Sequence, residues 1–138
     1  MLHSVDGQSI FTSEDLVTGL SDLINTYRPA ELRTQSDVAG TQFTDHSDHR
    51  ASGRFAARAN QLSRTNLPSG QTAPTITYYI GYPIHELRPN VEGKDLIDKN
   101  DAFAAYGAFD GGVCHGMDQC AKSSTYGSYL SRQYTNSY

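Results

Sequence analysis

The chain lacks any long apolar run. No segment approaches the roughly 20 apolar residues that a membrane-spanning helix requires, and the longest candidates are interrupted by Thr, Gly and Tyr. The sequence therefore predicts no membrane span. The opening residues, MLHSVDGQSI, also lack a basic region followed by an apolar core, so we expect no signal peptide within them.

Basic residues are few and scattered. The 11 Lys and Arg residues are outnumbered by 15 Asp and Glu residues, which gives a net charge of -4 and a pI near 5.6. The arginines are spread from Arg28 to Arg132 and form no stripe. Because binding to nucleic-acid phosphates needs a clustered basic face, this pattern argues against nucleic acid as a partner.

Cysteine is also scarce. Cys114 and Cys120 are the only two, and they lie close together in a Gly-rich stretch. A zinc site would need further Cys or His residues at regular spacing, and only His115 is near. A flexible loop of this length can bring two Cα atoms to bonding distance, so we predict a disulfide, with two free thiols as the alternative. If oxidised, the pair implies an extracellular or secreted protein.

Length and composition indicate one globular domain spanning residues 1–138. Hydrophobic residues make up 37% of the chain and charged residues 19%, which is typical of a globular rather than a disordered chain. A chain of 138 residues can bury one core but not two. The apolar share is on the low side, so we expect a partner surface to complete part of the core.

Periodicity and turn residues predict alternating helices and strands. Thr12 and Asp15 have the form of a capping box at the start of the first helix, and Pro29 ends that helix. The predicted elements, in chain order, are a helix within 12–29, a strand at 30–35, a polar loop at 36–48, a helix at about 49–62, a strand at 75–82 and a helix within 91–110. The inner face of the first helix is expected to consist of Leu16, Leu20, Leu23, Ile24 and Tyr27.

This order of elements is that of a βαβ-type α/β layer. Only two good strands are present, however, and two parallel strands make a poor sheet alone because both faces and both edges need cover. We therefore predict an α/β fold with two main strands and about three helices, from which a piece is missing.

The segment TDHSDHRASGRFA, residues 44–56, carries the clearest chemical signal. His46 and His49 are three positions apart, so they project from one side if a helix begins here. A neutral imidazole is a good zinc ligand, and a neighbouring carboxylate can fix its tautomer. The spacing is compatible with a metal or catalytic site, although a solvated polar loop that holds two ordinary histidines is the commoner case.

The same segment resembles the second signature of the PIG-L/LmbE family of N-acetylglucosaminyl deacetylases, a His-x-Asp-His followed by a helix with a nearby Gly. PAELRTQ is similar to the strand and loop that lead into that signature. YYIGYPI, DLIDKNDAFAAYGAFD and YGSYLSRQY resemble C-terminal segments of the family's secreted members. The resemblance covers the chain from about residue 10 onward. It implies a partial Rossmann-like layer of the LmbE type.

The resemblance also implies roles for three residues. His49 is expected to be a zinc ligand, and His46 to stabilise the tetrahedral oxyanion or protonate the leaving amine. Asp48 is expected to hold an imidazole in orientation. The implied reaction is hydrolysis of the N-acetyl amide of an N-acetylated sugar or glycan. Zinc would polarise the carbonyl and lower the pKa of its bound water, while a carboxylate acts as general base.

The family's first signature, Ala-His-Pro-Asp-Asp, does not occur in this sequence. That stretch supplies two of the zinc ligands and the general base, so we expect the chain to correspond to the C-terminal half of such a domain and to be inactive alone. Expected partners are a complementary N-terminal half or further copies of the chain, because a missing strand exposes a sheet edge. The alternative is a non-catalytic extracellular protein that uses this partial fold for self-assembly or glycan binding.

Overall fold

The computed structural model describes residues 1–37, 45–122 and 126–136. Positions 38–44 of the predicted polar loop, including the first residue of the histidine segment, lie outside this range. The elements in chain order are β1 (Leu2–His3), β2 (Ile10–Phe11), α1 (Ser13–Tyr27), β3 (Glu31–Gln35), α2 (Ser47–Thr65), β4 (Thr75–Tyr79), a 3-10 helix (Tyr82–Glu86), α3 (Gly93–Gly107), α4 (Met117–Lys122), α5 (Tyr126–Leu130) and β5 (Thr135–Asn136). The fold is mixed α/β, and none of these helices is long and apolar enough to cross a membrane.

A mixed sheet organises the described residues. Its strand order is β3-β4-β5. β3 and β4 are parallel, in register from Glu31 opposite Thr75 to Gln35 opposite Tyr79, and α2 connects them. β5 adds an antiparallel strand on the far side of β4. The two predicted strands and the helix between them are confirmed, whereas β5, α4, α5 and the small β1–β2 hairpin were not predicted.

Helix α1 begins at the predicted capping box. The Thr12 hydroxyl accepts a hydrogen bond from the Asp15 backbone N–H at 3.1 Å, and the Asp15 carboxylate accepts one from the Thr12 N–H at 2.8 Å. These two reciprocal bonds satisfy N–H groups that the helix itself leaves without partners. The start of α1 is therefore determined within four residues of sequence.

The predicted inner face of α1 is partly wrong. Val17, Ser21 and Ile24 are the buried residues of the helix, while Leu23 and Tyr27 are 53% and 78% exposed. The apolar side chains of α1 form a stripe along the helix that is wider than the surface of α2. Helix α2 covers one side of this stripe, where Val17 and Ile24 pack with Ala59. The other side of the stripe faces an open groove.

This groove lies between α1, β3 and α2 and has a volume of about 510 Å³. Apolar side chains dominate its lining, including Leu16, Leu20, Leu23, Tyr27, Leu32 and Phe55. It runs beside β3, which pairs only with β4 among the described strands. Within the described part of the chain, the side of the molecule next to β3 therefore combines an uncovered apolar surface with a free strand edge.

A second buried cluster surrounds the disulfide. Cys114 and Cys120 are bonded to each other, with an S–S distance of 2.04 Å, as the sequence predicted. Both are buried together with Leu130, and Phe103 and Tyr126 pack against them. The disulfide thus joins the loop after α3 to α4 and supports the position of α5.

Removing this disulfide is expected to destabilise the protein by about 2 kcal/mol, because the short loop that it closes gains conformational entropy in the unfolded chain. Urea unfolding with and without reductant measures the change. The Cys114→Ala/Cys120→Ala variant is the matched control, since its unfolding midpoint is expected not to respond to reductant. An equal response in both proteins would contradict a stabilising role for the bond.

Candidate functional site

The histidine segment forms the start of α2. His46 is the N-cap residue, and its Nδ1 accepts a hydrogen bond from the Asp48 backbone N–H at 3.3 Å. His49 follows in the first turn of the helix. The centroids of the two imidazole rings lie 5.8 Å apart. The structure therefore brings together the two histidines that the sequence pattern singled out.

Asp45 is the buried acid of this site, with a side chain that is only 5% exposed. Its Oδ1 lies 2.9 Å from His49 Nδ1 and accepts a hydrogen bond from the His46 N–H at 2.8 Å. Two further backbone N–H groups donate to the same carboxylate, Gly81 at 3.0 Å and Tyr82 at 3.3 Å. Because an ionised carboxylate only accepts, this arrangement assigns the imidazole proton to Nδ1 and leaves the lone pair on His49 Nε2.

Gly81 makes this arrangement possible. It lies two residues after the end of β4, beyond the carboxyl end of a parallel strand, where α/β proteins commonly bind ligands. A Cβ atom at this position would lie 2.1 Å from Asp45 Oδ2 and 2.6 Å from His49 Nδ1. The close approach of the backbone to the carboxylate therefore requires a residue without a side chain.

Asp48 has a different position from Asp45. Its side chain is 82% exposed, and its Oδ2 lies 3.6 Å from Nδ1 of His46, which is itself 54% exposed. Such an exposed contact contributes little energy. The carboxylate that bonds His49 is that of Asp45, which the sequence pattern did not single out. A sequence signal for Asp45 was present nonetheless, since it stands four positions before His49, in the predicted polar loop that leads into the helix.

A cavity of about 310 Å³ lies beside His49. The Tyr82 ring packs against the His49 ring with centroids 4.7 Å apart, and Tyr129 follows at 5.7 Å from Tyr82. The full lining comprises Gln35, His49, Ile80, Gly81, Tyr82, Ile84, Lys99, Phe103, Tyr126, Tyr129 and Leu130. Burial is the main cause that raises the pKa of Tyr129, so its phenol remains a neutral donor at physiological pH. Gln35 and Lys99 were not selected from the sequence. They are 64 residues apart, and nothing in the sequence indicates that both line one cavity.

The donor set matches part of a zinc site. A zinc-bound histidine commonly donates its second N–H to a carboxylate, as His49 does to Asp45. Catalytic zinc usually takes three protein ligands, however. Within the described ranges no group of three or more His, Cys, Asp or Glu side chains is arranged to hold a metal ion. These residues therefore fit one ligand position and do not form a complete site.

No family model, curated protein or solved structure matches this chain. The chemistry of the Asp45–His49 pair and of the cavity beside it is therefore the basis on which a function is assigned.

Proposed function

We propose that the chain is the C-terminal part of a zinc-dependent deacetylase that hydrolyses the N-acetyl amide of an N-acetylglucosamine-type sugar. The observation that carries this proposal is the buried hydrogen bond between Asp45 and His49. It supports a role for His49 as a zinc ligand through Nε2. The sheet is then part of a larger Rossmann-like layer, and the remaining ligands and the general base come from outside this sequence.

The buried carboxylate supports the ligand role in two ways. It fixes the orientation and tautomer of the His49 ring, and it makes the coordinating nitrogen more basic. Three backbone N–H groups hold Asp45 in turn, so the fold itself positions the pair without a bound ligand. A histidine in a solvated polar loop would need no such support. The geometry thus favours the metal interpretation over the ordinary-loop alternative.

His46 is suited to a separate role in the same reaction. It is more exposed than His49, and it lies at the N-terminus of α2, where the helix dipole favours developing negative charge. We propose that it stabilises the oxyanion or protonates the leaving amine, and that Asp48 orients its ring through the backbone N–H that donates to His46 Nδ1. The substrate would lie in the cavity beside His49, where Tyr82 and Tyr129 offer aromatic faces to a sugar ring.

The side of the molecule next to β3 supports the proposal that the chain binds a partner. The apolar groove beside β3 and the free edge of that strand together offer a surface onto which further strands and apolar side chains can pack. We propose a complementary N-terminal half as the occupant. The disulfide supports a secreted or extracellular location, because such bonds persist in oxidising compartments.

Metal content and native mass of the purified protein test this function. Near-stoichiometric zinc is expected when the chain is purified with its partner or in a complete assembly, and His49→Ala is expected to lower zinc affinity by at least tenfold. His115→Ala is the matched control, since His115 is exposed and has no place in the site. Equal zinc content in the wild type and the His49→Ala variant would show that His49 is not a zinc ligand.

The free edge of β3 and the groove also favour a second candidate, a non-catalytic extracellular protein that self-assembles or binds glycans. In that case the chain would form a stable homo-oligomer with no bound zinc. A deacetylase assay on N-acetylated sugars separates the two candidates: zinc-dependent acetate release supports the enzyme, and its absence from a zinc-free oligomer supports the structural protein.

A further inference from the structure

Lys99 is a half-buried cation in the wall of the cavity beside His49. Its ammonium donates hydrogen bonds to the backbone oxygens of Tyr129, at 3.4 Å, and of Arg132. An ammonium carries three donors, so at least one remains for a ligand. Burial lowers the pKa of Lys99, which is the response of a charge that has lost part of its hydration.

No carboxylate compensates this charge within the described part of the chain. No Asp or Glu side chain lines the cavity there, and the carboxylate of Asp45 is already bonded to His49 and to three backbone N–H groups. Lys94 on the same helix differs, because it is exposed and paired with Asp98. Partial burial of an uncompensated cation is unfavourable, and an anionic ligand would relieve it.

The remainder of the cavity is suited to the apolar body of a small molecule. Ile80, Ile84, Phe103, Tyr126 and Leu130 contribute aliphatic and aromatic surface, and the volume of about 310 Å³ is within the range of ligand pockets. The Gln35 Oε1 atom is buried and has no hydrogen-bond partner among the residues that the structure describes. The cavity therefore combines one cationic donor, one unused acceptor and a largely apolar wall.

We propose that this cavity binds an organic monocarboxylate, whose carboxylate pairs with Lys99 and whose aromatic or aliphatic body lies on the apolar wall. This inference goes beyond the proposed hydrolysis, since it requires neither zinc nor His46. Acetate, the product of the proposed reaction, is the smallest member of this ligand class. The apolar wall favours members with larger bodies.

Calorimetric titration with sodium benzoate and with benzamide tests the proposal. The two probes have the same ring and differ in charge. Wild-type protein is expected to bind benzoate in a saturable manner and about tenfold or more tightly than benzamide, because a hydrogen bond to a charged group is worth more than a neutral one. Equal affinities, or no saturable binding of benzoate, would overturn the proposal without reference to any variant.

Two substitutions locate the charge responsible. Lys99→Met keeps a long side chain in the wall and is expected to abolish the preference for benzoate, while Lys94→Met removes the same net charge from an exposed position and is expected to preserve it. Circular dichroism checks that both variants fold. Unchanged benzoate affinity in a folded Lys99→Met variant would overturn the role of Lys99.

The outcome is separable from that of the deacetylase proposal. Benzoate binding by a complete assembly that acquires no zinc would support the carboxylate site and count against the enzyme. Zinc binding without any preference for benzoate would support the enzyme and count against the carboxylate site.

Discussion

The Asp45→Ala variant is expected to lose about 3–5 kcal/mol of unfolding free energy, a large share of the stability of an ordinary domain. The Asp45 carboxylate is buried and accepts hydrogen bonds from three backbone N–H groups as well as contacting His49. Truncation leaves these donors buried without partners, and each unsatisfied donor costs about 1–3 kcal/mol unless water enters. Urea unfolding followed by circular dichroism measures the loss.

Asp48→Ala is the matched control for this experiment. It removes the same charge three positions along the chain, from a side chain that is 82% exposed. Its effect is expected to stay within about 0.5 kcal/mol, as for most surface substitutions. Similar losses in the two variants would mean that net charge, rather than the buried hydrogen bonds of Asp45, governs the stability of this region.

Gly81→Ala is expected to destabilise the protein by about 2–3 kcal/mol and to displace the His49 ring. The added Cβ would lie 2.1 Å from Asp45 Oδ2, which is far inside van der Waals contact. The carboxylate is held by backbone donors on both sides and cannot move away without losing them. Thermal unfolding measures the destabilisation, and the NMR resonances of the His49 ring report the displacement.

Gly19→Ala is a control for which the opposite change in stability is expected. Gly19 lies within α1, and a Cβ there would meet nothing within 4 Å. Alanine is favoured over glycine in a helix by about 0.5–1 kcal/mol, so this variant is expected to be slightly more stable than the wild type. Destabilisation by Gly81→Ala together with stabilisation by Gly19→Ala would establish that close contact, and not loss of glycine as such, determines the effect.

Much of the fold was predictable where the determining interactions are local. The capping box of Thr12 and Asp15 fixes the start of α1, and the β-branched and aromatic residues of β4 mark that strand. Gly53, near the start of α2, packs closely on β3, since a Cβ there would lie 2.3 Å from the Gln35 backbone oxygen. The short strand β5 has only two residues, too few for a periodic pattern to reveal it.

The candidate site shows the same division. The proximity of His46 and His49 could be predicted from their spacing, because both lie at the first turn of α2. The buried residues of α1 could not be predicted in the same way, because the apolar stripe of this helix is wider than the surface that α2 covers. A sequence pattern shows which side chains are apolar, but only the packing of a particular neighbour decides which of them are buried.

The sequence by itself determined the boundaries of α1, the parallel strands with their connecting helix, the short-range disulfide and the paired histidines, since each depends on residues close together in the chain. Only the tertiary structure decided which carboxylate bonds His49, why Gly81 must lack a side chain, and that Lys99 lies in the cavity beside His49. The Asp45–Gly81 hydrogen bond spans 36 residues and the Lys99–Arg132 bond spans 33. Such contacts exist only after the carboxyl ends of β3 and β4 are placed side by side and α3 and α5 close over them.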